Sequence, residues 1–325
     1  MRTYVSALIL VAALASVSDK SMTAWLAVRA IAFVACAFLG RPPACAVLCS
    51  CAAALVSLDL AIACLSFSCL RVRLLTLATA CAAVGLVGAL SLGWQQWAFP
   101  FHNRNHYAVF CELSLPLLVY AWRRAGHSFY IVAAAILFAA ALAGGSRVGA
   151  VLLLVEVVVL AGWRNLSISI PAVAVAASLF VLLSGGQRIT NPLEGDHRIE
   201  IWRSTVEMIG DKPLTGWGIG EFTRIYPAYA KFDNGQFVNA AHSDWLEWGS
   251  EFGIPAVVGV LAAFWWWIRK SIQFSPSWGI LVGALHAFVD FPFHLPGLLV
   301  FAVALSGSIE AHGKSTKTKP PDPER

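Results

Sequence analysis

The sequence predicts an all-α fold: a polytopic transmembrane helix bundle of about ten to twelve spans, with one long extracytoplasmic loop containing helices. Three observations carry this. Hydrophobic residues make up 58% of the chain and charged residues only 13%, about half the charged share of a soluble domain. Apolar runs long enough for a helix to cross the hydrocarbon layer recur between short basic loops. No period-2 alternation runs through the chain, which argues against a β-barrel.

The apolar runs fall at 4–18, 23–40, 44–70, 72–98, 105–122, 128–143, 148–163, 166–184, 254–269, 276–291 and 295–310. The run at 44–70 is too long for one ordinary span; it is either tilted or two short passes broken near Asp59. Residues 1–17 have the charge and apolar pattern of a signal peptide and equally of a short first helix. Of the eight cysteines, Cys36, Cys45, Cys49, Cys51, Cys64, Cys69 and Cys81 lie in apolar N-terminal segments and Cys111 in a later one. They form no CxxC and no histidine stands among them, so they read as small buried apolar residues, and no metal site is expected from them. The net charge of +5 is spread over many short loops and does not suggest nucleic-acid binding.

Residues 185–245 differ from the rest. This loop collects Arg188, Glu194, Asp196, His197, Arg198, Glu200, Arg203, Glu207, Asp211, Lys212, Glu221, Arg224, Lys231, Asp233, His242 and Asp244, together with Trp202, Trp217, Tyr226, Tyr229 and Trp245. A loop so long is functional or disordered, and its aromatic content argues for the former. Ile199, Trp202, Val206 and Ile209 recur at helical spacing, so 198–210 should form an amphipathic helix, ended by Pro213 and Gly216. A second helix should begin near Ser243 and run on into the next span. The chain thus divides into an N-terminal transmembrane bundle (1–184), the loop (185–245), C-terminal transmembrane helices (246–310) and a Lys- and Pro-rich tail (311–325) expected to be disordered and cytoplasmic.

Basic residues set the orientation. Arg71, Arg73, Arg123, Arg124, Arg164, Arg269, Lys270 and the tail fall on one side if spans alternate, and that side should be cytoplasmic. The loop then faces the other side, the periplasm of a two-membrane bacterium. Arg104, Arg147, Arg198, Arg203, His242, Asp290 and His294 gather on that outer face. Arginine is disfavoured in outward loops, and an anionic ligand would explain it, because a guanidinium binds phosphate oxygens in a fork and stays charged. Arg147, after Gly144-Gly145-Ser146, could otherwise be a snorkelling anchor; Arg198 could otherwise form a surface ion pair with Glu194 or Glu200. His242 stands in a wet, polar stretch suited to proton transfer. Asp290 follows His286 by one helical turn, and a carboxylate at a membrane boundary calls for a partner; two such ligands do not make a metal site. The run Gly216-Trp217-Gly218-Ile219-Gly220 follows no strand, so it reads as a glycine-rich turn under a substrate rather than a nucleotide loop.

Several segments together resemble a known family. They are His102-Asn103-Arg104-Asn105-His106-Tyr107-Ala108 with Pro116, then Gly145-Ser146-Arg147, then Arg198-Ile199-Glu200-Ile201-Trp202 with Pro213-Leu214-Thr215-Gly216-Trp217-Gly218. Ala241-His242-Ser243-Asp244 with Glu251-Phe252-Gly253 follows, and last His286-Ala287-Phe288-Val289-Asp290. In this order they resemble the O-antigen ligase-like membrane proteins, which include O-antigen ligases and Wzy-type polymerases. The resemblance implies a metal-independent, inverting glycosyltransferase of the inner (cytoplasmic) membrane, active on the periplasmic side in lipopolysaccharide or other polysaccharide biosynthesis, with no cofactor. The donor would be an undecaprenyl diphosphate-linked glycan; the acceptor would be lipid A–core in a ligase or a growing glycan in a polymerase. Carried onto this chain, it makes His242, Arg198, Arg147 and Asp290 catalytic candidates, and Arg104, Asn105, Arg203, Trp202, Trp217 and His286 substrate-binding candidates. Two other classes compete, a polysaccharide transporter and a structural subunit of an export complex. A transporter would place charges near the bilayer midplane and show an internal repeat; here the charges gather at one face.

Overall fold

The structure, a computed structural model, describes residues 73–95, 101, 103–162, 197–232, 235 and 237–317. The expected spans 4–18, 23–40, 44–70 and 166–184, together with His102, lie outside the described residues. So do residues 185–196 of the loop and 318–325 of the tail. The described residues form ten α-helices and two short 3-10 turns, with no strand among them. In chain order the helices are α1 (Leu74–Gln95), α2 (Arg104–Ala125), α3 (Ser128–Ala143), α4 (Arg147–Ala161), α5 (Arg198–Asp211), α6 (Phe222–Ile225), α7 (Asp244–Phe252), α8 (Ile254–Ser271), α9 (Pro276–His286) and α10 (Pro296–Lys317). By length and apolarity, one stretch among the described residues qualifies to cross a membrane, Leu74–Leu92 in α1; Ser128–Ala143 and Gly297–Gly313 are apolar but shorter.

Helix α2 is the axis of the bundle, with α1, α3, α4 and α9 packed around it. The Asn103 side chain caps it by accepting from Asn105 N at 2.8 Å, which satisfies an amide the helix itself leaves unpaired. Gly126 closes the other end in the left-handed conformation, after Arg123 and Arg124, cations that complement the helix dipole. Tyr107, Phe110, Leu113 and Leu117 on α2 are fully buried. Between helices in lipid, association rests on close van der Waals packing, and small residues mark the crossings. Pro116 lacks an N–H, so the Glu112 carbonyl one turn earlier has no helical donor. Gly279 of α9 lies against that carbonyl: a Cβ there would meet the Glu112 oxygen at 2.6 Å.

Two expectations for the C-terminal half are corrected. The helix begun at Asp244 does not run on into the next span: Gly253, at φ 85°, ends α7, and α8 starts afresh with Pro255 in its first turn. A Cβ at Gly253 would meet the Leu214 oxygen at 2.5 Å, so only glycine fits this break. The run 276–291 is not one helix: α9 stops at His286 and residues 287–291 turn back across its end. Beyond it, α10 continues past residue 310 to Lys317, where a disordered tail was expected from residue 311; His312 in its last turns hydrogen-bonds the Tyr120 hydroxyl at 2.9 Å and meets the ring of Phe274.

The loop forms a second, smaller layer with its own core. Ile201 and Met208 of α5 pack with Phe222, Tyr226 and Ala241, flanked by Trp217, Tyr229 and Leu246. The amphipathic helix expected at 198–210 is α5. The glycine run 216–220 lies against the C-terminal end of α7. Its backbone caps α7: Trp217 N donates to Ser250 O at 2.8 Å and Gly218 N to Glu251 O at 3.0 Å. These are carbonyls that a helix C-terminus leaves unpaired. Gly216, at φ 64°, fits because a Cβ would strike the Glu251 backbone at 2.3 Å.

Candidate active site

Four separate segments converge on the carboxylate of Asp290, whose side chain is 1% exposed. The turn after α9 places it: Val289 N and Asp290 N both donate to the His286 carbonyl, at 3.0 and 3.1 Å. Asn105, in the first turn of α2, donates its side-chain amide to Asp290 Oδ2. Arg198, the first residue of α5, holds one guanidinium nitrogen 4.0 Å from the same oxygen and donates another to the Val289 carbonyl. His242 brings Nδ1 to 4.0 Å from Asp290 Oδ1, and the Phe291 amide donates to that oxygen at 2.9 Å. Burial pushes the Asp290 carboxyl up. The imidazoles of His242 and His106, the Arg198 guanidinium and His286 outweigh it and hold the group below the usual carboxylate range. Asp290 is therefore an anion at neutral pH.

His242 stands in the left-handed region, at φ 52°, the one non-glycine residue with positive φ among the described residues. Such a conformation is uncommon for a side-chain-bearing residue and persists where its surroundings over-determine it. The ring edges onto Phe291 at a centroid distance of 5.2 Å, and the His242 carbonyl accepts from Trp202 Nε1 at 3.3 Å. Its side chain is 33% exposed while Nδ1 is buried. One ring nitrogen thus faces a carboxylate while a third of the side chain stays exposed, an arrangement suited to a proton acceptor oriented by an acid.

A second polar cluster adjoins the first. His294 sits between two carboxylates, with Nδ1 on Asp244 Oδ1 and Nε2 3.4 Å from Glu247 Oε1. Asp244 Oδ2 accepts from Phe293 N at 2.8 Å, and Asp244 N donates to the carbonyls of Ala287 and Asp290 at 2.9 and 3.1 Å. Burial disfavours charge on the His294 ring, but Glu247, Asp244 and Glu251 together carry its pKa up to about 9. Burial likewise pushes Asp244 above the usual carboxylate range, against the pull of His294, and, aided by Glu247, raises Glu251 to about 7. His294 was expected to face an anionic ligand; the structure gives it two anions of the protein's own. A third pair, His286 Nδ1 and Glu112 Oε1 at 2.8 Å, lies inside the bundle with both side chains buried.

The remaining sequence candidates are placed as follows. Trp202 lies beside His242 through its hydrogen bond. Arg147 opens α4, capped by Ser146, and is half-buried. The first turn of α4 abuts the first turn of α2, where a Cβ on Gly149 would meet Ala108 Cβ at 2.5 Å. Arg104, exposed at the start of α2, neighbours the Gly144 turn that precedes Arg147: a Cβ on Gly144 would lie 3.8 Å from Arg104 Cβ. Both arginines therefore occupy the bundle end that carries Asn105. Arg203 is exposed on α5, whose inward residues are Ile201, Ser204, Thr205 and Met208. Trp217 belongs to the loop core, with its indole N–H on the Met208 carbonyl at 2.8 Å. His286 turns into the bundle. Sequence reasoning passed over Asp244, Glu247 and Glu112 as partners of histidines, and Phe291 as the floor under His242. His106, whose ring edges onto Phe291 at 5.3 Å, stood within the quoted 102–108 motif without being singled out. No group of three or more His, Cys, Asp or Glu among the described residues has metal-binding geometry.

A comparison with curated proteins finds no match. One family model does match, over residues that run from α3 through the loop to α8; they include Arg147, Arg198 and His242, while Asn105 and Asp290 lie outside. The model is that of O-antigen ligase, at residues 132–261, and the match supports an O-antigen ligase-like family for this chain, a class of bacterial membrane proteins that act on glycans.

Proposed function

We propose that the chain is an inner-membrane glycosyltransferase, built from about ten to twelve spans, that moves a glycan from undecaprenyl diphosphate to an acceptor hydroxyl at the periplasmic face. The observation that carries this reading is the convergence of Asn105, Arg198 and His242 on buried Asp290. In the reaction, the acceptor oxygen attacks the anomeric carbon from the side opposite the leaving group. A new C–O bond forms, the bond to the diphosphate oxygen breaks, and its electron pair leaves with the lipid diphosphate; the anomeric centre inverts. The acceptor proton passes to His242. Asp290 orients that ring and stabilises the imidazolium, and the 4.0 Å gap closes as substrate packs the site. Arg198 and Arg147 take up the charge that develops on the diphosphate, in the place a divalent cation would otherwise fill. Arg104, Arg203 and Trp202 line the approach of the glycan.

Between the two activities of the family, lipid A–core is the acceptor we favour; a polymerase would use the same donor chemistry on a growing glycan. Reconstitution with a lipid-diphosphate glycan and each acceptor separates them. His242→Ala tests the enzyme itself: transfer should drop by about 10²–10⁴-fold at unchanged expression. Wild-type transfer by that variant would remove His242 as the base; absence of transfer by the wild-type chain in the reconstitution would return the transporter and export-subunit readings.

A further inference from the structure

His294 takes no part in the chemistry proposed above, yet it is the node of a hydrogen-bonded frame around it. Both of its ring nitrogens face carboxylate oxygens. With both carboxylates ionised, each can only accept, and the arrangement calls for hydrogen on both nitrogens and a cationic ring. Its two anions hold the backbone on either side of His242. Glu247 Oε2 accepts from Ala241 N at 2.8 Å, the residue before. Asp244, two residues after, donates its own N–H to the carbonyls of Ala287 and Asp290 and takes the amide of Phe293 on its carboxylate. Asp244 thus joins the His242 segment to the Asp290 turn, and the imidazole of His294 ties that aspartate to Glu247. A left-handed backbone at a histidine relaxes unless something holds it, and this frame flanks the residue on both sides.

Resting on the function proposed above, we propose that His294, as a cation bridging Asp244 and Glu247, is the positioning residue that keeps His242 in its left-handed conformation opposite Asp290. The groups facing His294 are Asp244, Glu247 and Glu251 from α7, with the Trp248 ring at a centroid distance of 5.8 Å. Losing the ring proton removes one of the two donors, so the frame opens as pH rises towards about 9.

The test uses the full-length protein in lipid nanodiscs with a lipid-diphosphate glycan, comparing wild type, His294→Gln, Glu247→Gln and His242→Ala. His294→Gln should lower kcat by about tenfold or more with an unchanged donor KM, and the alkaline decline of wild-type activity should vanish in it. Glu247→Gln, a milder change that keeps the shape, should show the same split with a smaller loss. Modification of His242 by diethyl pyrocarbonate, followed by mass spectrometry, reads the frame without activity: labelling should quicken in both variants and, in wild type, steepen above pH 8. Wild-type kcat, pH profile and labelling rate in both variants would overturn the inference while leaving the proposed function standing. Full transfer by His242→Ala with quickened labelling in His294→Gln would do the reverse, removing His242 as the base but keeping the frame.

Discussion

His242 and His294 are both imidazoles beside buried aspartates, Asp290 and Asp244 respectively, and they differ in what is left over. His242 keeps 33% of its side chain exposed and stands 4.0 Å from Asp290. His294 is 17% exposed and has both nitrogens committed. A histidine with one nitrogen to spare can take a proton from a substrate; one whose two nitrogens already donate has no lone pair to offer. Charge alone does not separate them. Vacancy does, and it assigns chemistry to the first and architecture to the second.

The sharpest way to break the comparison is Asp290→Asn. The amide cannot stabilise an imidazolium, so transfer per folded molecule should fall by about 10²–10⁴-fold with little change in donor KM, over and above the fall in thermal midpoint that losing the buried charge brings. A loss confined to stability would move Asp290 to the structural side.

Next in size is Glu112→Ala. It strands His286 in the bundle, 1% exposed, and truncating one partner of a buried pair costs about 3–5 kcal/mol. Thermal unfolding in detergent should show this, with activity per folded molecule retained. Restoration of stability by a second change, His286→Leu, would confirm that the cost is an orphaned polar group rather than a lost reactant.

Alkaline pH should act on the frame and acid on the site. His294 has a raised pKa, about 9 against an ordinary 6.5, so the folded state binds the proton more tightly. Its contribution is complete below pH 6.5 and is lost as pH rises to about 9. The gap caps that contribution near 3 kcal/mol, and residual exposure lowers it to about 2 kcal/mol. Glu251, raised to about 7, adds a loss in the same direction between pH 4.5 and 7. Asp290 is shifted the other way: what it contributes is present above pH 3.8 and is lost on acidification. A thermal midpoint that climbs from pH 7 to 9 would contradict this assignment.

How much of this could be read from the sequence follows the same divide. The helices α1 to α4, α5 and α8 fall where apolar runs or a 3.6-residue period put them, because each is specified by residues within itself. The breaks at Gly253 and after His286 were not legible, since they depend on what lies opposite: the Leu214 carbonyl at one, the returning turn at the other. Among site residues, the unusual placement of Arg198, His242 and Asp290 in segments expected to face outward was visible, and they do meet. The meaning of His286 and His294 was not, because the partner that neutralises each lies on another helix, 174 residues away for Glu112 and 50 for Asp244. A polar residue out of pattern announces that it needs company; the sequence does not say whether that company is a ligand or the protein.

The smallest effect tests that last distinction at Arg198. Its guanidinium already serves the protein, through Asp290 and the Val289 carbonyl, and the proposal asks it to serve the donor diphosphate as well. Lysine keeps the charge but has neither the planar fork nor the reach to hold a carbonyl, a carboxylate and a phosphate oxygen together. If the second duty is real, Arg198→Lys should raise donor KM and lower kcat, about tenfold in kcat/KM, and short-chain lipid diphosphate should inhibit the variant more weakly than wild type. If Arg198 only braces the turn, the variant should lose stability while inhibition by the diphosphate stays the same. Arg198 would then join His294 among the groups whose partners are all within the chain, leaving Arg147 as the guanidinium to meet the leaving group.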